Sequence, residues 1–430
     1  MLETVSLFLF ILVRPPIRTT LKKLFNHIGP GTLVAAAFIG PGTVTVCSLA
    51  GVEFGFTLLW ALLLSIVATV VLQEMAARLG LVSGKGLAEV VRVEIANPFL
   101  RFVSLLLVVS AILIGNAAYE AGNITGGSLG LRTIIPNSII ELGALSVDTL
   151  SILIALLAFV LLFIGSYKLI ERILVLLVLF MIISFLLTAF LTQPDWAAVL
   201  SGLFVPSLPE KGLITVLALI GTTVVPYNLF LHASLVREKW EGEKQLRAAR
   251  KDTYVSVALG GLVSVAIVIC GAAIESSQIN SAAGLALGLE PLYGRFSEVV
   301  ISLGLFAAGI TSAITAPMAA AYVAQGCFGW NGGIRSRRFR MTWMLVLLLG
   351  LLSSFIGGSP IEIIRLAQFA NALLLPIIAV FLLWAVNQKR ILGQRVNSRT
   401  NNLLASLIVL ITFLLGLKSL SLLFNFDLFN

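Results

Sequence analysis

The chain has 430 residues, of which 59% are hydrophobic and only 11% charged, with a formal net charge of +9. Apolar runs near 20 residues recur along its length, which excludes a soluble globular domain and indicates a polytopic membrane protein. Three cysteines, Cys47, Cys270 and Cys327, show neither metal-ligand spacing nor a disulfide framework.

Residues 2–13 are apolar but too short to span a bilayer. Arg14, Pro15 and Pro16 follow with no small-residue cleavage site, so 1–27 reads as an interfacial N-terminal segment and not a signal peptide. From 28 to 430 the pattern is a single transmembrane domain. Eleven spans are expected, at 29–51, 56–78, 100–126, 149–167, 170–191, 213–236, 253–274, 297–323, 341–357, 361–385 and 403–424. With the N-terminus inside, 24 of the 29 Lys and Arg residues fall on inner segments. Only Arg132, Lys211, Arg295, Arg365 and Lys418 fall outside. This bias orients the N-terminus to the cytoplasm and the C-terminus to the extracellular or periplasmic side of a plasma (inner) membrane. It also explains the positive charge by topology and contact with the lipid bilayer, and not by nucleic-acid binding. The connection 237–252 is the most charged, and reads either as a short amphipathic helix or as a solvated loop.

Two spans are interrupted. In GPGTLVAAAFIGPGTVTVCSLAG (29–51), Gly40, Pro41, Gly42 and Thr43 break the middle. Proline lacks an N–H and clashes with the preceding turn, and flanking glycines let the backbone leave helical geometry. In LITVLALIGTTVVPYNLFLHASLV (213–236), Gly221, Thr222, Thr223, Pro226 and Asn228 do the same. Broken backbone in hydrocarbon is tolerated where it lines an enclosed or wet cavity. Matched breaks in two halves of a chain point to a transporter of inverted repeats with its site at the midplane.

Other polar residues stand inside spans. Glu120, within GNAAYEAGN, is an intramembrane carboxylate and hence a candidate proton carrier or coupling-ion ligand. His232 lies one turn beyond Asn228 and suits a proton relay. Gln368 is expected to face the cavity from the tenth span, Gln73 and Glu74 to pack or snorkel, and Asp252 to cap the seventh helix.

The opening run, with VPYNLFLH at 225–232, Asp252-Thr253, TSAIT at 311–315, and Ala367-Gln368 with Pro376, resembles the NRAMP divalent-metal transporters over nearly the whole chain. The resemblance implies an all-α polytopic membrane protein with a LeuT-type fold: two inverted five-helix repeats, an eleventh helix and alternating access. The family's first-helix signature, Asp-Pro-Gly-Asn, here reads Gly40-Pro41-Gly42-Thr43. Its sixth-helix Met-Pro-His, then Asn, reads Val225-Pro226-Tyr227-Asn228. The alanine whose carbonyl helps hold the metal aligns with Thr222, and the third-helix carboxylate pair with Glu120 and Asn123. The eighth-helix glutamine aligns with Ile310, whereas His232 and Gln368 are retained.

Losing the carboxylate, amide and thioether leaves hydroxyls (Thr43, Thr222, Thr223, Tyr227), the Asn228 amide and carbonyls. A soft dication is poorly served by that set, whereas magnesium suits oxygen ligands better. The N–H groups of Thr43 and Val44 at the second half-helix, with room beside Gly40, suggest instead an anion site. The expectation is a secondary-active transporter of a small inorganic anion such as bicarbonate. Sodium coupling would run through Thr311, Ser312 and Thr315, with carbonyls such as those of Ala36 or Ile39. The alternatives are a divalent-cation transporter (magnesium, manganese or iron), with or without proton coupling, and a non-transporting membrane sensor. No nucleophile–base pair or phosphate loop indicates an enzyme. No cofactor beyond a coupling Na+ or H+, and no obligate protein partner, is expected.

Overall fold

The computed structural model describes residues 31, 39–142, 145–165, 167–274, 284, 287–355 and 360–423. The expected segment 1–27, the first half-helix at 29–39 except for Gly31 and Ile39, and Ala36 lie outside the described residues.

Both breaks are built by the same local rule. Helix α1 (Pro41–Phe54) carries Pro41 at its first position, and Gly40 ahead of it is extended at φ −97°, ψ −177°. Helix α2 (Leu59–Ser83) ends at Gly84, whose φ of 65° is the left-handed conformation a glycine adopts without strain. Helices α3 (Leu87–Glu94) and α4 (Pro98–Arg132) follow. Helices α5 (Thr149–Ile164), α6 (Tyr167–Leu191) and α7 (Trp196–Phe204) lead to the second break. There α8 (Gly212–Thr223) stops, Val224 and Val225 leave helical geometry, and α9 (Pro226–Lys239) restarts with Pro226 at its first position. Proline is tolerated at a first turn, where its missing N–H costs nothing, and it pushes the preceding residue toward extended backbone. Helices α10 (Leu246–Ala272), α11 (Ser297–Phe328), α12 (Arg337–Ser353), α13 (Pro360–Val386) and α14 (Arg399–Leu423) complete the bundle.

Close helix approach rests on small residues, as expected where lipid tails remove the usual hydrophobic drive between helices. A Cβ built on Gly309 of α11 would sit 2.6 Å from the Gly127 Cα of α4. Likewise Gly271 of α10 packs on the Ser48 carbonyl of α1. The large apolar side chains left exposed on α4, α5, α12 and α14, such as Ile114, Leu156, Leu348 and Leu407, form the surface a bilayer would cover.

Several features depart from the expected spans. Among the described residues, seven helices are long and apolar enough to cross a membrane, or eight spans when α6 and α7 are taken as one bent pair, against eleven expected. Helix α5 has 16 residues because Gly165 ends it at φ 60°, and α12 has 17. Two strands, β1 (Ile139–Leu142) and β2 (Leu145–Asp148), pair antiparallel with Ile139 opposite Asp148 and interrupt the all-α pattern. The chain bends by 119° between α6 and α7, whose Trp196, Leu200 and Phe204 are exposed in the manner of an interfacial helix. The charged connection 237–252 is not a separate helix. It is the end of α9, a 3-10 turn at Glu243–Gln245, and the start of α10. Asp252 therefore sits inside α10 and does not cap it, and its Oδ2 accepts instead from Gly31 N at 2.7 Å.

Candidate functional site

The two breaks meet. Thr43, in the first turn of α1, and Thr222, in the last turn of α8, share a hydroxyl hydrogen bond of 2.8 Å, with both residues fully buried. The Gln368 side chain of α13 packs on Gly42, and the Gln368 backbone carbonyl packs on Gly221. One residue thus touches both interrupted spans. Pro226 has no N–H to offer the Thr222 carbonyl four residues earlier, so the C-terminal end of α8 presents an acceptor stripped of its helical donor.

Buried polar atoms collect around this meeting point. Asn228 is 1% exposed, and neither its Oδ1 nor its Nδ2 has a partner among the described residues. The same holds for Gln368 Oε1, Ser312 Oγ and Asn371 Nδ2. Native interiors pair such atoms with protein or ordered water, so these are the groups at the breaks with bonding capacity left for a water or an ion. Tyr227 and Tyr119 meet edge to face, with ring centroids 5.4 Å apart, and close one side.

Glu120 is fully buried on α4. Its Oε2 accepts from Asn123 Nδ2 at 3.1 Å, while Oε1 has no partner among the described residues. It lies within electrostatic reach of both tyrosines. His232 shares Nδ1 with Gln73 Oε1 at 2.9 Å, leaving the buried Nε2 without a partner among the described residues.

The structure separates the expected site residues. Gly40, Pro41, Gly42, Thr43, Thr222, Tyr227, Asn228, Gln368 and Ser312 come together at the breaks. Thr223 does not. Its hydroxyl donates to the Leu219 carbonyl of its own helix at 2.7 Å, since one step along a helix turns a side chain about 100°. Thr311 likewise donates to the Ala308 carbonyl on α11, the usual local bond of a hydroxyl inside a helix, whereas Thr315, beside its own bond to the Ser312 carbonyl, also hydrogen-bonds Tyr227 and so joins the group. Val225 contributes backbone, its carbonyl accepting from Asn228 N at 3.1 Å. Gln73 and Glu74 do not snorkel, for both are buried. Gln73 serves His232, and Glu74 pairs with Arg78 at 3.0 Å and Arg250 at 2.8 Å.

Tyr119 is a site residue that the sequence reading passed over, although it stands beside Glu120 and one helical turn from Asn116 and Asn123. Asn116 donates to the Ala316 carbonyl at 2.8 Å and ties α4 to α11. Among the described residues no group of three or more His, Cys, Asp or Glu could hold a metal by themselves.

Comparisons with known proteins agree over nearly the full length. The family model described as natural resistance-associated macrophage protein-like, Nramp, matches residues 31–422. A divalent metal cation transporter MntH from Erwinia tasmaniensis is 27% identical over 418 residues, spanning 94% of this chain and 96% of its own. An MntH from Yersinia pestis is 27% identical over 408 residues, spanning 92% and 94%. Among solved structures, an Eremococcus coleocola manganese transporter superposes with a TM-score of 0.74 at 24% identity, covering 94% of this chain and 87% of that one. A nucleobase-cation-symport-1 family transporter reaches 0.61 at 14% identity, covering 94% of each chain. The fold is that of the LeuT-like transporters.

These findings overturn the anion reading of the sequence, since the relatives carry names of metal-cation transporters. The geometry supplies the physical reason. The Val44 N–H, expected to be open to an anion, already donates to the Gly40 carbonyl at 3.2 Å. The room expected beside Gly40 is filled, for a Cβ there would sit 2.5 Å from Ser312 Oγ. Bicarbonate and its sodium symport are therefore withdrawn.

Proposed function

This chain belongs to the Nramp family, and we propose that it carries a divalent metal cation across the membrane by secondary-active transport, binding it at the two helix breaks. One observation carries the reading. Thr43 and Thr222 bring the two breaks within a 2.8 Å hydrogen bond, at the end of α8 where the Thr222 carbonyl has lost its helical donor. A helix C-terminus carries partial negative charge, and exposed carbonyls at such ends coordinate cations in this class of fold.

The ligands we assign are the Thr43 and Thr222 hydroxyls, the Thr222 carbonyl, Asn228 Oδ1 and Gln368 Oε1. Gly40, Pro41, Gly42 and Val225 shape the backbone around them, and Ser312 and Tyr227 line the wall. All of these donors are oxygens, and neutral. Hard cations take oxygen ligands, and magnesium in particular keeps part of its water shell. Softer metals gain more from nitrogen and sulfur, which the assigned ligands do not include. The donor set therefore favours magnesium and manganese over iron.

A buried dication needs compensating negative charge. Glu120, when ionised, adds to the partial negative charge of the α8 carbonyl end, and we assign it the coupling proton: it releases the proton as the cation enters and regains it as the cation leaves. His232, whose Nε2 has no partner among the described residues, is the next acceptor along the same path. Its position one turn beyond Asn228 supports that role.

Equilibrium binding tests the ligand set. Purified protein titrated with manganese and with magnesium should bind both, and Asn228→Ala should weaken each by at least about tenfold, the effect of leaving one buried group unpaired. Unchanged affinity in Asn228→Ala would remove the breaks as the site.

A further inference from the structure

The connection 237–252 builds a second site, separate from the helix breaks. Among the described residues, a cavity of about 470 Å³ opens at the start of α10, lined by Glu243, Lys244, Leu246, Arg247, Arg250 and Arg395. Four of these six are cations. Glu243 is paired with Arg395, and Arg250 with Glu74 at 2.8 Å. Lys244 and Arg247 make no ion pair or hydrogen bond with a described residue, and both are exposed. Spacing accounts for their convergence: 244, 247 and 250 recur every three residues, on one face of a 3-10 turn running into a helix. Arg395 arrives from the far end of the chain, in the turn before α14.

We propose that this cavity binds a phosphate-bearing anion. Guanidinium forks match the oxygens of a phosphate two at a time, and an ammonium adds a third donor. Two arginines and a lysine from one face, closed by an arginine from another segment, make a cradle for tetrahedral oxygens. Basic cavities at the membrane face of a helix bundle take anionic lipid headgroups, and free phosphate offers the same oxygens.

The site is joined to the transporter's framework. Arg250 also holds Glu74, which is held by Arg78, and Arg78 donates to the Arg395 carbonyl at 2.6 Å and to Asn397 Oδ1 at 2.5 Å. A phosphate between Arg250 and Arg395 therefore clamps α2, α10 and the turn before α14 together. Gln73 precedes Glu74 and holds His232, which places the clamp two residues from the proposed proton path.

The full-length protein in nanodiscs tests this in three arms: phosphatidylcholine alone, phosphatidylcholine with phosphatidylglycerol, and phosphatidylcholine with inorganic phosphate in the buffer. The unfolding midpoint of the wild type should rise in the second or third arm. A rise with phosphatidylglycerol alone identifies a lipid headgroup as the source, and a rise with inorganic phosphate identifies the free ion. Lys244→Ala with Arg247→Ala should lose that rise, with affinity falling roughly fivefold for each basic residue removed. Arg337→Ala with Arg338→Ala, which removes the same charge elsewhere, should keep it. Native mass spectrometry of the same samples reads retained lipid or phosphate independently of stability. Less retention by the 244/247 pair than by the 337/338 pair supports the site. Equal retention by the two pairs, or no rise in the wild type in either arm, overturns it.

Discussion

The Ser312 hydroxyl holds the space that a side chain at position 40 would need, 2.5 Å from where a Cβ on Gly40 would stand. The two residues are 272 positions apart in the chain, on α11 and at the start of α1, and each sets the limits of the other. Gly40→Ala alone should be destabilising by about 1–3 kcal/mol, the usual effect of overpacking. Adding Ser312→Gly should recover most of it. With the space reopened, Gly40→Asp in the Ser312→Gly background should bind manganese more tightly than the wild type, because a carboxylate joins the oxygen set. Unfolding midpoints in detergent and manganese titration measure the two effects.

Glu120→Gln keeps the shape and the Asn123 contact of a residue packed close against Gly350 of α12. It removes the ionisable proton. Metal flux down its own gradient should persist, while accumulation driven by a pH gradient should fall to background. Reconstituted vesicles carrying an internal metal-sensitive dye separate the two. Equal loss of both fluxes would reduce Glu120 to a packing residue.

Glu74 is held between two cations, and its pairing with Arg78 is almost wholly buried, at 8% and 1% exposure of the two side chains. Removing one partner of such a pair strands the other charge, at about 3–5 kcal/mol. Arg78→Met should therefore lower the unfolding midpoint far more than Arg250→Met, since Arg250 is 36% exposed and water can replace its contact. A Glu74→Gln, Arg78→Met double variant should lose less than the sum of the two singles, which a double-mutant cycle reads directly.

Asp148 closes the end of the β1–β2 hairpin and caps α5, with its Oδ1 accepting from Leu150 N at 3.2 Å. Burial alone would raise its pKa. Hydrogen bonds from Ser128 and Ser151, with the Arg132 guanidinium at 3.1 Å, outweigh that and hold the carboxyl below its ordinary value of 3.8. A carboxylate with a depressed folded pKa contributes stability above the ordinary value and loses it as pH falls through the folded one. Asp148→Asn should thus unfold earlier than the wild type at neutral pH, and the gap should close on acidification below pH 3.8. Unfolding curves across that range check the sign.

Much of this was legible in the residues. Pro41 and Pro226 announce both breaks, because proline at a helix start leaves the same mark whatever surrounds it. Thr43 and Thr222 follow from the breaks by position. What one chain of letters conceals is the content of a vacated space. The absence of a carboxylate at Gly40 reads as room for an anion until Ser312 is seen to occupy it. Thr223 turns its hydroxyl to the Leu219 carbonyl, because adjacent helical residues face different ways, and only packing decides which one looks inward. Helix α3, helix α7 and the hairpin lack the long apolar runs that reveal a span. The cluster of Glu74, Arg78, Arg250 and Arg395 assembles from three distant segments, so no local pattern predicts it.

The most direct measurement is divalent-metal influx into vesicles of the purified protein, at fixed membrane potential, with manganese and then magnesium outside. The account predicts protein-dependent influx of both ions, reduced in Asn228→Ala. A folded, monodisperse sample that admits neither ion would contradict it, and would mean that hydroxyls, carbonyls and amides at the two breaks do not suffice to carry a metal.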